Sequence, residues 1–335
     1  MLKALVICGS SIADVVFATP LIRALKVQLD DIELHAFADL SAAFTLDENP
    51  YVDNIHFSVE SVWQNYRRLK KHNFNFVVNL SDEWNAVWLT RLINKKTYTL
   101  KSLWWKQWLM VNLKIDQLPN KHLVQRMFDS VSALGLKPDE LGLDYFIPEK
   151  DKVLKEWLPS EFRGEYMVFC IGANYNTRKL PIDRMIELCD KINKPIVLLG
   201  DKADFETGEV VSSFFGKSVS VTYDEGLFQL NKRTVVYNAC GKFNFNQMAS
   251  VIKQSRAVFT FDNEFIPVAS AFKRDIYGLW GNTILMFGKY PYRTRFTVLE
   301  NNRLECRPCS SKGFDKCPRG HFRCMNRIVF DFFIS

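Results

Sequence analysis

The sequence predicts an α/β protein with two Rossmann-like domains, each built on a doubly wound parallel sheet. Over residues 1–80, short runs of β-branched and aromatic residues alternate with segments of helical periodicity, as in parallel sheets covered by helices. The pattern restarts with a buried strand over 166–171. Because 335 residues are enough for two domains of ordinary size, we predict an N-terminal domain over 1–155 and a C-terminal domain over 156–335.

Composition and charge restrict the classes of function. Hydrophobic residues make up 47% and charged residues 24%, as in soluble globular proteins, and no apolar run reaches the length of a membrane span. The chain opens on a strand without a signal-peptide pattern, so the expected location is the cytoplasm, where cysteines are mostly reduced.

The net charge of +7 is concentrated near the end of the chain. Residues 289–327 hold ten Lys or Arg against three Asp or Glu, whereas residues 1–150 hold 17 of each sign. A basic tail over about 289–335 suits nucleic acid, anionic lipid or a phosphorylated sugar, or it is a solvated surface. The sequence has no aromatic RNA-binding signature or helix-turn-helix pattern, so we predict no nucleic-acid partner.

The N-terminal elements begin with a strand over 3–8 and a buried helix over 13–26, which Pro20 bends or limits in its first part. The elements that follow are strand 32–37, helix or turn 42–46, strand 54–57, helix 62–71 and strand 76–80. Ligands of such sheets lie at the carboxyl ends of the strands. The segments expected to line this crevice are 9–14, with Ser10, Ser11 and Asp14, and 81–83, with Asp82 and Glu83.

Residues 101–114 combine three tryptophans with three lysines, namely Trp104, Trp105 and Trp108 with Lys101, Lys106 and Lys114. This composition is that of a helix or loop at a bilayer interface. The alternatives are that the tryptophans line a ligand-binding cleft or pack in the core. A peripheral contact with the inner face of the plasma membrane is therefore one of three hypotheses for this segment.

A polar segment with prolines over 137–165 places the domain boundary near 148–165. Strands over 166–171 and 195–200 follow. A further buried strand over 257–261 ends at Asp262-Asn263, before a helix of small residues and a strand over 276–280. A strand-to-helix turn of this kind presents backbone N–H groups and a positive helix end to a diphosphate. Many such turns have only a structural role and bind no ligand.

This last stretch resembles the donor-site segment of the lipopolysaccharide heptosyltransferases, glycosyltransferase family 9. The matching positions are Asp262, Val268 to Ala271, and Gly281 to Thr283. The phosphate-binding core of the family pattern differs here, because a small hydroxyl residue, a glycine and a histidine are replaced by Asn263, Glu264 and Pro267.

The resemblance extends along the chain. Near the N-terminus Asp14, Thr19, Pro20, Leu25 and Lys26 match the family's opening pattern, with Ala13 at a usual glycine. The family implies that Asp14 removes the proton of the acceptor hydroxyl, which glycosyl transfer requires of a positioned carboxylate. Capping of the helix is the alternative role for Asp14.

Two further segments match the family, one around Gly172 and one at Asn238, Gly241 and Lys242. Around Gly172, Lys179 matches the family pattern, and Arg178 stands where the pattern has a lysine. Two cations beside the end of a strand can neutralise the charge of a departing diphosphate. The alternative is an ordinary basic turn. Related enzymes often place an acidic residue near the nucleoside, and the candidates here are Asp201, Asp204 and Glu206.

The resemblance implies the GT-B architecture, in which two Rossmann-like domains face each other across a cleft. It also implies inverting transfer of heptose or a similar sugar from a nucleotide sugar, such as ADP-heptose, to a lipid-linked or phosphorylated glycan such as lipopolysaccharide. No cofactor is required for this transfer. The donor would contact Gly172, Arg178, Lys179, Asp204, Asp262, Asn263, Glu264, Gly281 and Thr283.

The alternative is a member of the family that has changed donor or lost the activity and acts as a binding or scaffolding protein. Glu264 places a carboxylate close to where two phosphates would bind, and a like charge there is costly when it is desolvated and unpaired.

Four cysteines in the tail have the spacing C-x2-C-x7-C-x6-C, with His321 between the last two. Four thiolates, or three with the histidine, can hold a structural zinc that would fasten a tail with little apolar material. Reduced thiols packed in the fold and disulfides are the alternatives. The residues concerned are Cys306, Cys309, Cys317 and Cys324.

Overall fold

The structure is a computed structural model that describes residues 2–59, 61–216 and 234–334. It divides into two compact units. The first unit comprises Met1–Glu149, Ser270–Lys273 and Leu285–Arg293, and the second comprises Lys150–Ala269, Arg274–Ile284 and Thr294–Ser335. The division falls after Glu149, whereas the sequence pattern suggested residue 155, and no sequence feature indicated that two later segments join the first unit.

The first unit contains a five-stranded parallel sheet in the order β3-β2-β1-β4-β5. Its strands are β1 (Leu2–Ile7), β2 (Ile32–Ala38), β3 (Asn54–Phe57), β4 (Phe76–Asn79) and β5 (Lys96–Thr99). Val6 of β1 pairs with Ala36 on one side and with Val78 on the other. The strand order therefore reverses at β1, and the loop after β1 lies at a switch point, where doubly wound sheets bind ligands.

The helices described in this unit are α1 (Ile12–Gln28), α2 (Leu40–Ala43), α3 (Val62–Lys70), α4 (Trp84–Ile93), α5 (Trp104–Leu113) and α6 (Leu123–Ser130). Helix α1 runs without interruption past the buried Pro20. Proline has no N–H for the carbonyl of Val16, and the hydroxyl of Thr19 donates to that carbonyl instead, at 2.8 Å. Pro20 therefore does not limit the helix.

The second unit contains a six-stranded parallel sheet in the order β11-β10-β9-β6-β7-β8. Its strands are β6 (Met167–Cys170), β7 (Ile196–Leu199), β8 (Val236–Asn238), β9 (Ala257–Phe261), β10 (Asp275–Trp280) and β11 (Phe296–Glu300). The described helices are α7 (Ile182–Ile192), α8 (Phe205–Gly216), α9 (Phe245–Gln254), α10 (Phe265–Ala271) and α11 (Arg323–Asn326).

Polar contacts explain why the units divide near residue 149. The buried Arg23 of α1 donates to the Asp139 carboxylate at 2.7 Å and to the carbonyl of Gly142 at 2.7 Å, which holds this stretch to the first unit. Asp151 accepts hydrogen bonds from Asn244 and from Asn246 in the second unit. These partners lie about a hundred residues away in sequence, so the local pattern indicates the segment that contains the boundary but not the residue at which the chain divides.

The end of the chain is anchored by apolar packing, contrary to the expectation of a tail with little apolar material. Phe332 is buried against Phe259 of β9 and Tyr277 of β10, with ring centroids 5.2 Å from each. Ile328 and Phe330 are buried in the same cluster. The segment after the last cysteine therefore belongs to the core of the second unit.

Candidate active site

Asp14 lies in the first turn of α1, directly after the loop that follows β1. Its carboxylate accepts a hydrogen bond from the Ser11 hydroxyl at 2.7 Å and pairs with the Lys289 ammonium at 2.6 Å. A Cβ at Gly9 would come within 2.5 Å of the Asp14 Cβ, so this position has no room for a side chain. The loop thus brings a partly exposed carboxylate, a hydroxyl and a cation together at the switch point of the sheet.

The capping alternative for Asp14 can be compared with this geometry. The N-cap of α1 is Ser11, whose hydroxyl accepts from the backbone N–H of Asp14 at 3.1 Å. Asp14 itself stands three residues later, where a negative charge interacts favourably with the helix dipole. Its carboxylate is therefore not the capping group.

Lys289 is a site residue that sequence reasoning missed. It lies in the segment Leu285–Arg293, which joins the first unit although it is far from that unit in sequence. In the sequence, Lys289 is notable only as one of the basic residues of the tail. Its pairing with Asp14 joins residues far apart in the chain and therefore leaves no local sequence pattern.

The other predicted acceptor residues lie at the same edge of the sheet. The Ser10 hydroxyl donates to the Glu83 carboxylate, and the Ser102 hydroxyl donates to the Asp82 carboxylate. A cavity of about 80 Å³ at the carboxyl ends of β1, β2 and β4 is lined by both Ser10 and Glu83. Glu83, which was expected at this crevice together with Asp82, is therefore part of this edge.

The tryptophans of α5 are exposed, which excludes the alternative that they pack in the core. The exposed fractions of Trp104, Trp105 and Trp108 are 66%, 55% and 40%, and no residue of α5 is buried. Trp84 and Trp88 of α4 are exposed as well. Among the described helices, none is long and apolar enough to cross a bilayer.

In the second unit, Asn263 fixes the turn that follows β9. Its amide oxygen accepts from the Thr260 hydroxyl at 2.8 Å and from the backbone N–H of Phe265 at 3.0 Å. Its amide nitrogen donates to the carbonyl of Gly172 at 2.8 Å. Asn263 therefore joins the loops after β9 and β6, which places two of the predicted donor segments side by side.

The backbone N–H groups of this turn already have partners. The N–H of Glu264 donates to its own carboxylate, and that of Phe265 to Asn263. The N–H of Ile266 points to the carbonyl of Asn263 at 3.4 Å, and Pro267 has none. The sequence analysis expected these groups to face a diphosphate, but the replacements at 263, 264 and 267 use or remove three of them.

The two predicted cations are held by protein groups. Lys179 pairs with the buried carboxylate of Asp204 at 2.6 Å. Arg178 donates to the carbonyl of Asp262 at 2.7 Å and to that of Ser311 in the tail at 3.4 Å. Arg178 is therefore bound to the start of the turn after β9 and to the tail, whereas Lys179 is bound to Asp204.

Glu264 lies next to these charges. Burial raises the pKa of its carboxyl group, and the negative charges of Asp201 and Asp204 add to that shift, while Arg178 opposes it. Asp204 also fills the space beside Gly172, where a Cβ would lie 2.8 Å from its carboxylate oxygen. The carboxyl ends of β6, β7 and β9 are thus a crowded acidic site.

The cysteine-rich tail lies on the predicted donor loops. The backbone N–H of Phe314 donates to the Thr177 hydroxyl at 2.8 Å, and the N–H of Cys309 donates to the carbonyl of Asn282 at 3.2 Å. A Cβ at Gly281 would come within 2.6 Å of the Met325 methyl group. Within the described chain, both polar atoms of the buried Asn282 side chain lack a hydrogen-bond partner. The tail therefore covers a polar group of the predicted donor motif.

Asp262 and Thr283, the remaining predicted donor residues, contact each other. The Thr283 hydroxyl donates to the Asp262 carboxylate at 2.7 Å. Arg307 of the tail donates to the carbonyl of Thr283 at 2.9 Å and to the Glu300 carboxylate at 2.8 Å. These bonds fix the loop after β10 relative to the tail.

The eight cysteines are all described, and none forms a disulfide. Burial raises the pKa of the Cys324 thiol to about 11, and the charges of Cys309, Cys317 and Cys306 act in the same direction. The Cys306 sulfur lies 3.8 Å from Nε2 of His321. In the described chain, the ring nitrogens of His35, His56 and His72 lie within 4.8 Å of one another, as the ligands of one metal ion would. As a group, the sulfur atoms of the tail cysteines are spaced more widely than this.

Comparison with known proteins identifies the family. The family model described as glycosyltransferase family 9 (heptosyltransferase) matches residues 62–317, which is more than half of the chain. The chain belongs to glycosyltransferase family 9. The predicted family and enzyme class, a glycosyltransferase, are thereby confirmed. No curated protein matches the sequence.

Solved structures agree on the fold. A glycosyltransferase family 9 protein from Veillonella parvula is 17% identical with a TM-score of 0.69, over 90% of this chain and 86% of that one. The E. coli ADP-heptose lipopolysaccharide heptosyltransferase II is 17% identical with a TM-score of 0.67, over 97% and 98%. E. coli heptosyltransferase WaaC with ADP is 16% identical with a TM-score of 0.63, over 89% and 93%. The predicted fold class, α/β of the GT-B type, is confirmed.

Proposed function

We propose that this family 9 protein is an inverting glycosyltransferase that moves heptose or a similar sugar from a nucleotide sugar to a lipopolysaccharide or related surface glycan. The observation that carries the proposal is the Asp14 carboxylate at the switch point of the first sheet, beside Ser11 and Lys289. The two E. coli relatives are an ADP-heptose lipopolysaccharide heptosyltransferase and a heptosyltransferase with bound ADP, which supports a nucleotide-sugar donor.

In the proposed reaction the Asp14 carboxylate takes the proton of the acceptor hydroxyl as the oxygen attacks the anomeric carbon. The bond from that carbon to the diphosphate breaks, and the nucleoside diphosphate leaves with the electron pair. Ser11 orients the carboxylate through its hydrogen bond, and Lys289 holds it from the other side. Lys289 also offers a positive charge to a phosphorylated acceptor.

The second candidate, a member with a changed donor or without transfer activity, is favoured by one observation. The turn after β9 has its N–H groups used or removed and carries the partly buried Glu264. Such a turn lacks the free donors and the positive potential that bind a diphosphate. The two candidate functions require the same fold, but they predict different strengths of ADP binding.

We expect weak or undetectable binding of ADP and ADP-heptose to the unmodified chain. The double change Glu264→Gly with Pro267→His removes the like charge, lets the backbone approach the phosphates and restores a side-chain donor. ADP binding should then strengthen by at least ~1.4 kcal/mol, about tenfold. Isothermal titration calorimetry on both proteins measures the difference.

The matched control is Glu264→Gln, which removes the charge and keeps the size of the side chain. It should recover only part of the gain, since the crowding and Pro267 remain. Tight binding of ADP-heptose by the unmodified chain would refute this interpretation of the turn and leave the transferase proposal intact. No gain in the double variant would place the obstacle elsewhere in the donor site.

We retain a structural metal in the tail as a proposal for Cys306, Cys309, Cys317 and Cys324. Zinc–sulfur bonds of about 2.3 Å put tetrahedral ligands roughly 3.8 Å apart, so the sulfurs would have to move closer than they lie here. Elemental analysis of purified protein should find close to one zinc or similar transition ion per chain bound by these thiols. Chelation should then loosen the segment after about residue 300. Metal-free protein with four titratable tail thiols would rule out this site.

A further inference from the structure

Three of the chain's five histidines meet in the first unit, although they come from three separate segments. His35 lies in β2, His56 in β3, and His72 in the turn after α3. Their ring nitrogens lie within 4.8 Å of one another. His35 is fully buried, while His56 and His72 are partly exposed, so an ion from solvent can reach the cluster.

Glu33 determines which nitrogen of His35 faces the other two rings. Its carboxylate lies 2.9 Å from Nε2 of His35 and is itself held by Lys3 at 2.9 Å and by Asn54 at 3.2 Å. A carboxylate only accepts hydrogen bonds at neutral pH, so Nε2 carries the proton. The lone pair of His35 is then on Nδ1, which lies 2.8 Å from Nε2 of His56.

This arrangement is the one that metal-binding histidines adopt. A ligating imidazole commonly donates its other N–H to a carboxylate, which fixes the ring and makes the ligand more basic. Zinc–nitrogen bonds of 2.0–2.1 Å place tetrahedral ligands about 3.4 Å apart, so His35 and His56 need to separate by only about half an ångström. The aromatic ring of Phe74, 5.0 Å from His35 and 5.8 Å from His72, forms an apolar wall beside the rings.

We propose that His35, His56 and His72 bind a divalent transition ion of the zinc type, with Glu33 as the positioning carboxylate. Three imidazoles suit zinc, copper or nickel rather than magnesium or calcium. A bound ion would fasten β2, β3 and the turn after α3 to one another. The site is separate from Asp14 and from the tail cysteines, and it does not depend on the proposed transfer reaction.

The test uses the full chain after removal of metal, titrated with Zn²⁺ or Co²⁺. The parent should bind one equivalent more than the variant H56Q/H72Q, and metal should raise the melting temperature of the parent by more than that of the variant. Both substituted residues are partly exposed, so the variant is expected to fold. Lys71→Gln, an exposed neighbour without an imidazole, is the control and should bind as the parent does.

Two further measurements distinguish this site from the tail. Glu33→Gln should weaken binding about 10–100-fold without removing a ligand. X-ray absorption of the zinc-loaded parent should show histidine ligands, and this result does not depend on whether the variants fold. Equal metal uptake by parent and H56Q/H72Q, or a spectrum with sulfur ligands alone, would overturn the proposal and leave the cluster as a hydrogen-bonded stack of rings.

Discussion

Asp14→Asn is expected to lower turnover by roughly 100-fold or more, while the affinity for the donor nucleotide stays nearly unchanged. The amide keeps the size of the side chain and an acceptor for the Ser11 hydroxyl, but it cannot take a proton from the acceptor sugar. The pairing with Lys289 at 2.6 Å is lost with the charge. Steady-state kinetics with the donor that the parent uses, together with calorimetry of nucleotide binding, measures both quantities.

Ser11→Ala is the control that separates catalysis from helix stability. It removes the N-cap of α1 and should cost about 0.5–2 kcal/mol of stability, whereas the Asp14 carboxylate remains. A smaller loss of turnover than in Asp14→Asn is therefore expected. If Asp14→Asn retained the activity of the parent, or lost only as much as its loss of folded protein explains, Asp14 would not be the base.

The second large effect is expected at the exposed face of α5. We propose that Trp104, Trp105 and Trp108 enter the interface of an anionic bilayer, because these large apolar side chains are exposed on a helix that has no buried residue. Replacing all three with Ser should weaken binding to vesicles of phosphatidylcholine and phosphatidylglycerol by at least ~10-fold. Co-sedimentation measures the bound fraction.

Trp157→Ser is the matched control, since this tryptophan is also exposed, at 53%, but lies in the second unit. It should leave vesicle binding unchanged. The lysines at 101, 106 and 114 are exposed, so binding should weaken as salt is added. Equal binding by the parent and the triple variant would show that these side chains serve another purpose, such as contact with the acceptor glycan.

The strands and many of the helices could be predicted because their signals are local. The strands over 54–57 and 257–261 have the predicted bounds, and others differ by one or two residues at their ends. Runs of buried β-branched and aromatic residues identify central parallel strands. The short edge strands Lys96–Thr99, Val236–Asn238 and Phe296–Glu300 were not predicted, since their residues are mostly partly or fully exposed and carry little apolar pattern.

The sequence alone determined the α/β class, the order of most of the elements, the family and the position of Asp14 shortly after the first strand, since each depends on residues close together in the chain. Only the tertiary structure decided what surrounds these residues. It brought Lys289 to Asp14, laid the tail on Gly281 and Asn282, and joined three distant histidines. Such contacts depend on how the sheets and loops pack, and residues far apart in sequence leave no periodic signal of the partners they will have.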